Sequence, residues 1–267
     1  MIEVLDGARV FLCFVFFFYA SWSDLERREV SNKVWVVLAP LAFALTFSQF
    51  LLFAPHMLQL YAFSFIVTSA VSVALFYAGA FGGADAKALI CLSLALPAHP
   101  SNLLQPILGI VSPLFPITVF CNGVLLAALT VFYALTRNLL WKHRTGRKLF
   151  EGFEEQSKSR KILAVLCGYK VNIAELDKEK HSYPLEDVLI EETGETKRRL
   201  LVFPSDDKKE EILERISEAK EKGKIGKEVW VTPGLPLLIF ITAGLIIAVV
   251  LGDMIYILLR LVLRLGF

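Results

Sequence analysis

The stretch VWVVLAPLAFALTFSQFLLFAPHMLQLYAFSFIVTSAVSVALFYAGAFGGA, residues Val34 to Ala84, runs for 51 residues without an Asp, Glu, Lys or Arg. A bilayer-spanning helix needs about 20 predominantly apolar residues. The stretch therefore predicts two spans, with the turn at Ala54-Pro55-His56. Working outward, Ala88 to Thr136 gives 49 further uncharged residues, read as two spans broken near Pro97-Ala98-His99-Pro100. Val229 to Gly252 supplies 24 more residues, enough for one span, and Leu5 to Trp22 supplies another. The first run carries Glu3, Asp6 and Arg9 in its flank and ends in Tyr19-Ala20-Ser21-Trp22. It has neither the flank nor the small-residue cleavage site of a signal peptide, and is read as a retained span. The expected fold is an α-helical membrane protein with six transmembrane helices.

Of 267 residues 55% are hydrophobic and 20% charged, against about 25% charged in a soluble domain. The charge is concentrated: Arg137 to Glu228 holds 21 of the 28 Lys and Arg and 19 of the 26 Asp and Glu. Three parts follow: residues 1–136 with spans 1 to 5, a polar insert at 137–228, and 229–267 with span 6 and a tail. The insert reads as a small α+β module. Lys161 to Val171 is expected as a strand, and Asp187 to Phe203 as a hairpin joined around Thr193-Gly194-Glu195. Ser205-Asp206-Asp207 should cap a helix running to about Lys222, with Ile212, Ile216 and Ala219 on one face and Gly223 as its stop. Lys and Arg cluster in the loops after spans 1, 3 and 5 (Arg27, Arg28 and Lys33; Lys87; Arg137 to Lys148), against Arg9, Arg260 and Arg264 on the other side. The insert and these loops are therefore expected to face the cytoplasm, with both termini outside, in a multi-pass plasma-membrane protein.

Composition also excludes function classes. A net charge of +2 gives no footprint for nucleic acid. Cys13, Cys91, Cys121 and Cys167 form no C-x-x-C pair, so neither a zinc site nor a disulfide framework is indicated, and the sequence holds no phosphate-binding loop. No metal or cofactor is expected.

Ionisable residues at membrane depth tend to be functional. Asp6 and Arg9 are three apart and can pair on one helix face, and Asp253 stands near the end of span 6. Asp24 and Asp85 differ: both fall at the cytoplasmic ends of spans. Span 4, from Asp85 to Leu96, covers roughly 18 Å of a hydrocarbon core about 30 Å thick, so its start should lie below the surface. Gly82 and Gly83 allow an irregular backbone there. Two carboxylates held close do not both ionise easily, so one can take a proton from water while the other donates to a carbonyl oxygen. The alternative at this point is ordinary ion pairing, Asp24 with Arg27 or Arg28 and Asp85 with Lys87.

Asp24-Leu25-Glu26-Arg27-Arg28-Glu29-Val30-Ser31-Asn32 resembles the first motif of the type IV prepilin peptidase and preflagellin peptidase family, matched at Asp24, Arg28, Val30 and Asn32. Gly82-Gly83-Ala84-Asp85-Ala86-Lys87 resembles its second, Gly-x-Gly-Asp with a Lys two residues on. Ala84 stands where the bacterial pattern has its second Gly. The absence of C-x-x-C pairs argues against bacterial enzymes that also N-methylate their product, and the insert points to the archaeal branch. Thr232-Pro233-Gly234-Leu235-Pro236 is similar to the Pro-containing motif bordering the active site of intramembrane aspartyl proteases, and equally reads as a rigid helix entry.

The resemblance implies an aspartic endopeptidase, with Asp24 and Asp85 as the dyad and Arg28, Asn32, Gly82, Gly83, Ala84 and Lys87 as support. Its substrates would be preflagellin- or prepilin-like proteins, cut where a short basic leader meets an apolar segment. Lys87 could favour an ionised Asp85, and Glu191-Glu192 and Asp206-Asp207 could meet leader lysines. If the two acids sit on separate helices, closure on substrate would assemble the dyad. The rival readings are a polytopic transporter and a non-catalytic scaffold whose insert is a docking module.

Overall fold

The computed structural model describes residues 1–110, 112–174, 182–190, 196–201 and 209–265. The chain divides into two compact units, residues 1–128 with 236–267, and residues 129–235.

The first unit is built from helices α1 (Ile2–Arg27), α2 (Asn32–Phe53), α3 (Met57–Tyr77), α4 (Gly83–Ala95), α5 (Phe115–Ala128), α9 (Leu237–Val250) and α10 (Met254–Leu265). The short α4 lies at its centre, with Ala88, Leu89, Leu92 and Ala95 fully or almost fully buried against α1, α2, α3, α5 and α9. The last carbonyls of a helix have no partner within it. Those around the end of α4 are met from three neighbours: Arg9 Nη1 (3.2 Å) and Thr46 Oγ1 (3.0 Å) donate to the Ala95 carbonyl, Tyr61 OH to that of Leu94 (3.2 Å), and Ser64 Oγ to that of Pro97 (3.0 Å). Asp6 and Arg9 pair as their spacing suggests. Asp6 is almost wholly buried and also accepts from Gln49 Nε2 (2.9 Å) and Asn102 Nδ2 (3.1 Å). Asp253 accepts from Thr118 Oγ1 at 3.1 Å.

Helices in an apolar surrounding associate through close packing and a few hydroxyl bonds. Both occur here. Ser21 on α1 donates to the Leu238 carbonyl (3.0 Å) and lies 2.7 Å from Thr242 Oγ1 on α9. Helices α5 and α9 meet at Gly123 and Gly244. A β-carbon at Gly123 would come within 2.9 Å of the Phe240 carbonyl oxygen, and one at Gly244 would strike the Val119 carbonyl oxygen and the Gly123 backbone.

Among the described residues three helical stretches are long and apolar enough to cross a membrane: α2, α3 and Phe115–Thr145, which runs through α5 into α6 (Thr130–Thr145). A fourth is reached if Leu237–Val250 and Met254–Leu263, bent by 68°, count as one. The expectation of six spans is thus not reproduced by length and composition. One cause is the 13-residue length of α4. Another is at the last span: Val229 to Pro233, expected to open it, lie in strand β5 (Glu228–Pro233), leaving α9 with 14 residues.

The second unit holds α6, α7 (Lys158–Cys167), α8 (Lys209–Glu221) and the strands β1 (Tyr169–Asn172), β2 (Ser182–Pro184), β3 (Glu186–Ile190), β4 (Thr196–Leu200) and β5. The central strand β5 pairs antiparallel with both neighbours in the order β1-β5-β2, with Lys170 opposite Trp230 and Tyr183 opposite Thr232. Strands β3 and β4 pair antiparallel with Glu186 opposite Leu200; the hairpin is present, but its second strand is Thr196–Leu200 and shares only Leu200 with the expected Leu200-Leu201-Val202. The joining residues Thr193-Gly194-Glu195, the cap Ser205-Asp206-Asp207 and the pair Glu191-Glu192 lie outside the described residues. Helix α8 buries Ile212, Ile216 and Ala219 as expected, and Gly223 follows it at φ +69°. Lys161 to Val171 is not one strand. Ser157 caps a helix by accepting from the Arg160 N–H (3.4 Å), so Lys158 to Cys167 are α7 and only Tyr169 begins the strand.

Glu186 is fully buried. It accepts from Arg198 Nη2 at 2.7 Å and from the Trp230 N–H at 3.0 Å. Burial pushes its carboxyl above the usual range, and the Arg198 charge opposes that shift.

Gly244→Leu should destabilise the first unit by roughly 1–3 kcal/mol through overpacking against backbone. Gly7→Ala, whose β-carbon would find Leu103 Cδ1 at 4.0 Å, should be neutral or stabilising. Thermal melts in detergent would read both. Arg198→Met should cost about 3–5 kcal/mol by leaving a buried carboxylate unpaired, and Arg198→Met combined with Glu186→Leu should recover much of that loss.

Candidate active site

Asp24 lies in the last turn of α1. That helix ends at Arg28, whose N–H donates to the Asp24 carbonyl at 3.0 Å. Arg28 has φ +57° and is the one non-glycine residue in the left-handed region among the described residues. Such a conformation closes a helix sharply but is disfavoured for a side-chain-bearing residue, so surrounding contacts must hold it. Ser23 Oγ provides one, donating to the Glu29 carbonyl at 2.7 Å and drawing the loop back over the final turn of α1. Ser31 then caps α2, accepting from the Lys33 N–H at 3.4 Å.

Asp85 is the third residue of α4. Its Oδ2 accepts from the Gly82 N–H at 3.0 Å, the carboxylate half of a capping box. A carboxylate there is also favoured by the positive end of the helix dipole. A β-carbon on Gly82 would lie 3.1 Å from Asp85 Oδ2, so a larger residue would crowd the carboxylate. Gly83 meets only an ordinary contact, with Phe76 at 3.7 Å.

The end of α1, the turn into α2 and the start of α4 enclose an open cleft of about 620 Å³. It is lined by Asp24, Arg28, Val30, Asn32, Gly82, Gly83, Ala84 and Asp85, so residues from both sequence motifs converge on it. The two acids stand on separate helices, both half-buried, and the charge of Asp24 reaches Asp85. Lys87 does not pair with Asp85. Its Nζ donates to Asn32 Oδ1 at 2.7 Å, linking α4 to the start of α2. Arg27 is closest to Glu26, at 3.8 Å, among its described carboxylate partners.

Tyr19, Ser23 and Glu29 also line the cleft and were not singled out by sequence reasoning. Tyr19 and Ser23 are four apart, a helical spacing that sets them on one face just before Asp24. Pro236 caps α9 and is not among the residues lining the cleft. Pro233 closes β5 in the second unit, which also contains Gly234.

Two carboxylates thus line one open cleft, and Asp85 forms no ion pair among the described residues.

Comparison with known proteins places the chain beside peptidases along most of its length. Residues 11–132 match the model of the type IV leader peptidase family, and residues 160–254 match that of the archaeal peptidase A24 C-terminus, type II. A preflagellin peptidase of Methanococcus voltae is 29% identical over 241 residues, 88% of this chain and 91% of that protein. One from Methanococcus maripaludis (strain C6) is 25% identical over 260 residues, covering 95% and 96% of the two chains. One from Methanocaldococcus jannaschii is 25% identical over 246 residues, covering 88% and 89%. With one family model on the helices that carry the cleft, another on the insert and the final helices, and three peptidases aligned along most of its length, the chain belongs to the type IV leader peptidase family and is a peptidase.

Proposed function

We propose that the chain is a membrane-embedded aspartic endopeptidase that removes the short basic leader of preflagellin- or prepilin-like proteins at the cytoplasmic face. The observation that carries this reading is the shared cleft of Asp24 and Asp85. The names of the three relatives support the substrate class.

In this mechanism the ionised carboxylate takes a proton from a water held between the two acids. The resulting hydroxide attacks the scissile carbonyl, and the protonated carboxyl gives its proton to the carbonyl oxygen. Collapse of the tetrahedral intermediate returns a proton to the departing amine. Each acid exchanges one proton, and no metal is required.

The substrate chemistry suits the cleft. A scissile bond between a basic leader and an apolar helix lies at the membrane surface, and Lys and Arg in the loops after spans 1 and 3 argue for a cytoplasmic cleft. Both termini would then be extracytoplasmic. Glu29 on the wall adds a carboxylate that can meet a leader lysine or arginine. Because Asp24 and Asp85 belong to separate helices, closure of the α1 end against the α4 start on substrate would bring the dyad to reacting distance. The Lys87–Asn32 bond holds the α4 start to α2 and so limits the range of that motion.

Membranes containing Asp24→Asn or Asp85→Asn, at normal expression, should lose cleavage of a preflagellin-type substrate by at least about 100-fold. Cleavage that persists in either variant would remove that acid from the mechanism. Lys87→Met and Asn32→Ala should each slow cleavage roughly tenfold, the scale of one charge-assisted hydrogen bond. The double variant should be no slower than the worse single one, since both delete the same bond. A much larger loss in Lys87→Met alone would give Lys87 a role in the chemistry.

A further inference from the structure

The second unit carries its own concavity, about 380 Å³, floored by β1 and β4 and walled by α6 and the turn before β5. Among the described residues five cations line it: Arg147, Lys170, Arg198, Lys224 and Lys227. The two acids on its wall among the described residues are Glu151 and Glu228, and Glu228 accepts from Trp141 Nε1 at 2.8 Å. Glu186, beneath, is engaged by Arg198 and the Trp230 N–H. Among the described residues, Arg147, Lys170 and Lys227 have no carboxylate within ion-pair distance.

The positions of Lys170 and Arg198 are built rather than incidental. Lys170 Nζ stands 4.3 Å from the Trp141 ring centre and 5.9 Å from that of Trp230. Its burial lowers the ammonium pKa, against the pull of Glu186, and a second anion beside it would relieve that cost. Arg198 lies 4.4 Å over the Phe153 ring, and its buried Nε–H has no hydrogen-bond partner among the described residues. At Gly152 (φ +82°) a β-carbon would come within 3.3 Å of Arg198 Nη1, so this turn leaves the guanidinium room.

A site with the Nη1 side of a guanidinium, two or more ammonium groups and an indole wall suits a multi-oxygen anion. A basic leader would be repelled, so the proposed substrate is not the occupant. Trp141 and Arg147 flank the C-terminal end of the apolar stretch Phe115–Thr145. Tryptophan and cations are enriched where a spanning helix meets lipid headgroups, and basic pockets at that level take phosphate-bearing headgroups. We propose that this concavity binds a phosphoryl group, carried either by an anionic lipid headgroup or by a free phosphate. The site depends on neither Asp24 nor Asp85 and stands apart from the peptidase reading.

The test uses the full chain in detergent, melted with increasing inorganic phosphate against chloride at matched ionic strength. In parallel, it is melted in phosphatidylcholine nanodiscs with and without phosphatidylglycerol. A saturable rise in melting temperature is expected in at least one series. Lys170→Gln and Lys227→Gln should each weaken the apparent affinity at least fivefold, while Lys158→Gln, outside the concavity, should not. A response to phosphate identifies a small-anion site, and a response to phosphatidylglycerol alone identifies a headgroup site. The exposed Lys227 keeps the test decisive if Lys170→Gln fails to fold. No saturable response in either series, or an undiminished response in the folded Lys variants, overturns the proposal.

Discussion

The first unit depends on how one short helix is held at one end. Helix α4 has 13 residues, too few to reach both faces of a hydrocarbon layer about 30 Å thick. Its terminal carbonyls would be left unsatisfied in an apolar medium, at a cost of several kcal/mol each. Arg9, Thr46 and Tyr61 donate to the carbonyls of Leu94 and Ala95, and Ser64 to that of Pro97 just beyond. Those donors come from α1, α2 and α3, so satisfying α4 also fixes the helices that surround it. The buried Asp6 balances the Arg9 charge and carries the network on to Gln49 and Asn102.

Asp85 stands at the opposite end of α4, beside glycine and an open cleft. The contrast between the two ends has chemical sense. In the proposed mechanism Asp85 needs access to water and substrate, whereas the helix that carries it must not drift. The bond from Lys87 to Asn32 joins the two motifs across 55 residues of sequence, and the positive φ of Arg28 turns the chain so that Asn32 can reach it. Arg28 and Asn32 thus have roles in shaping the cleft that can be stated without assigning either a part in proton transfer.

Much of this was legible in the chain. Uncharged runs located most of the helices, the brevity of α4 followed from Pro97, and the two motifs named the residues that meet in the cleft. The failures have physical causes. Val229-Trp230-Val231 is an apolar run whose periodicity does not separate a buried strand from a helix, and it leads into the apolar residues of α9. At Lys158 to Cys167 the Ser157 cap and the helix-forming Lys, Leu and Ala outweigh the strand character of the apolar run. Local spacing sets Lys87 beside Asp85 and carries no information about Asn32, a residue brought close only by packing.

The position of β5 has a consequence for the order in which the protein can be made. It is the central strand of its sheet, so β1 and β2 have no partner in that sheet until residues 228–233 exist. Helix α9, which packs on α1 and α5, starts only four residues later. A nascent chain therefore leaves the ribosome with both units open through most of translation. One short late segment closes them almost together. Chaperones and insertion machinery would have to shelter the unpaired strands and the exposed α1 and α5 faces over that interval, and a ribosome stalled before residue 228 would release a polypeptide in which neither unit is complete.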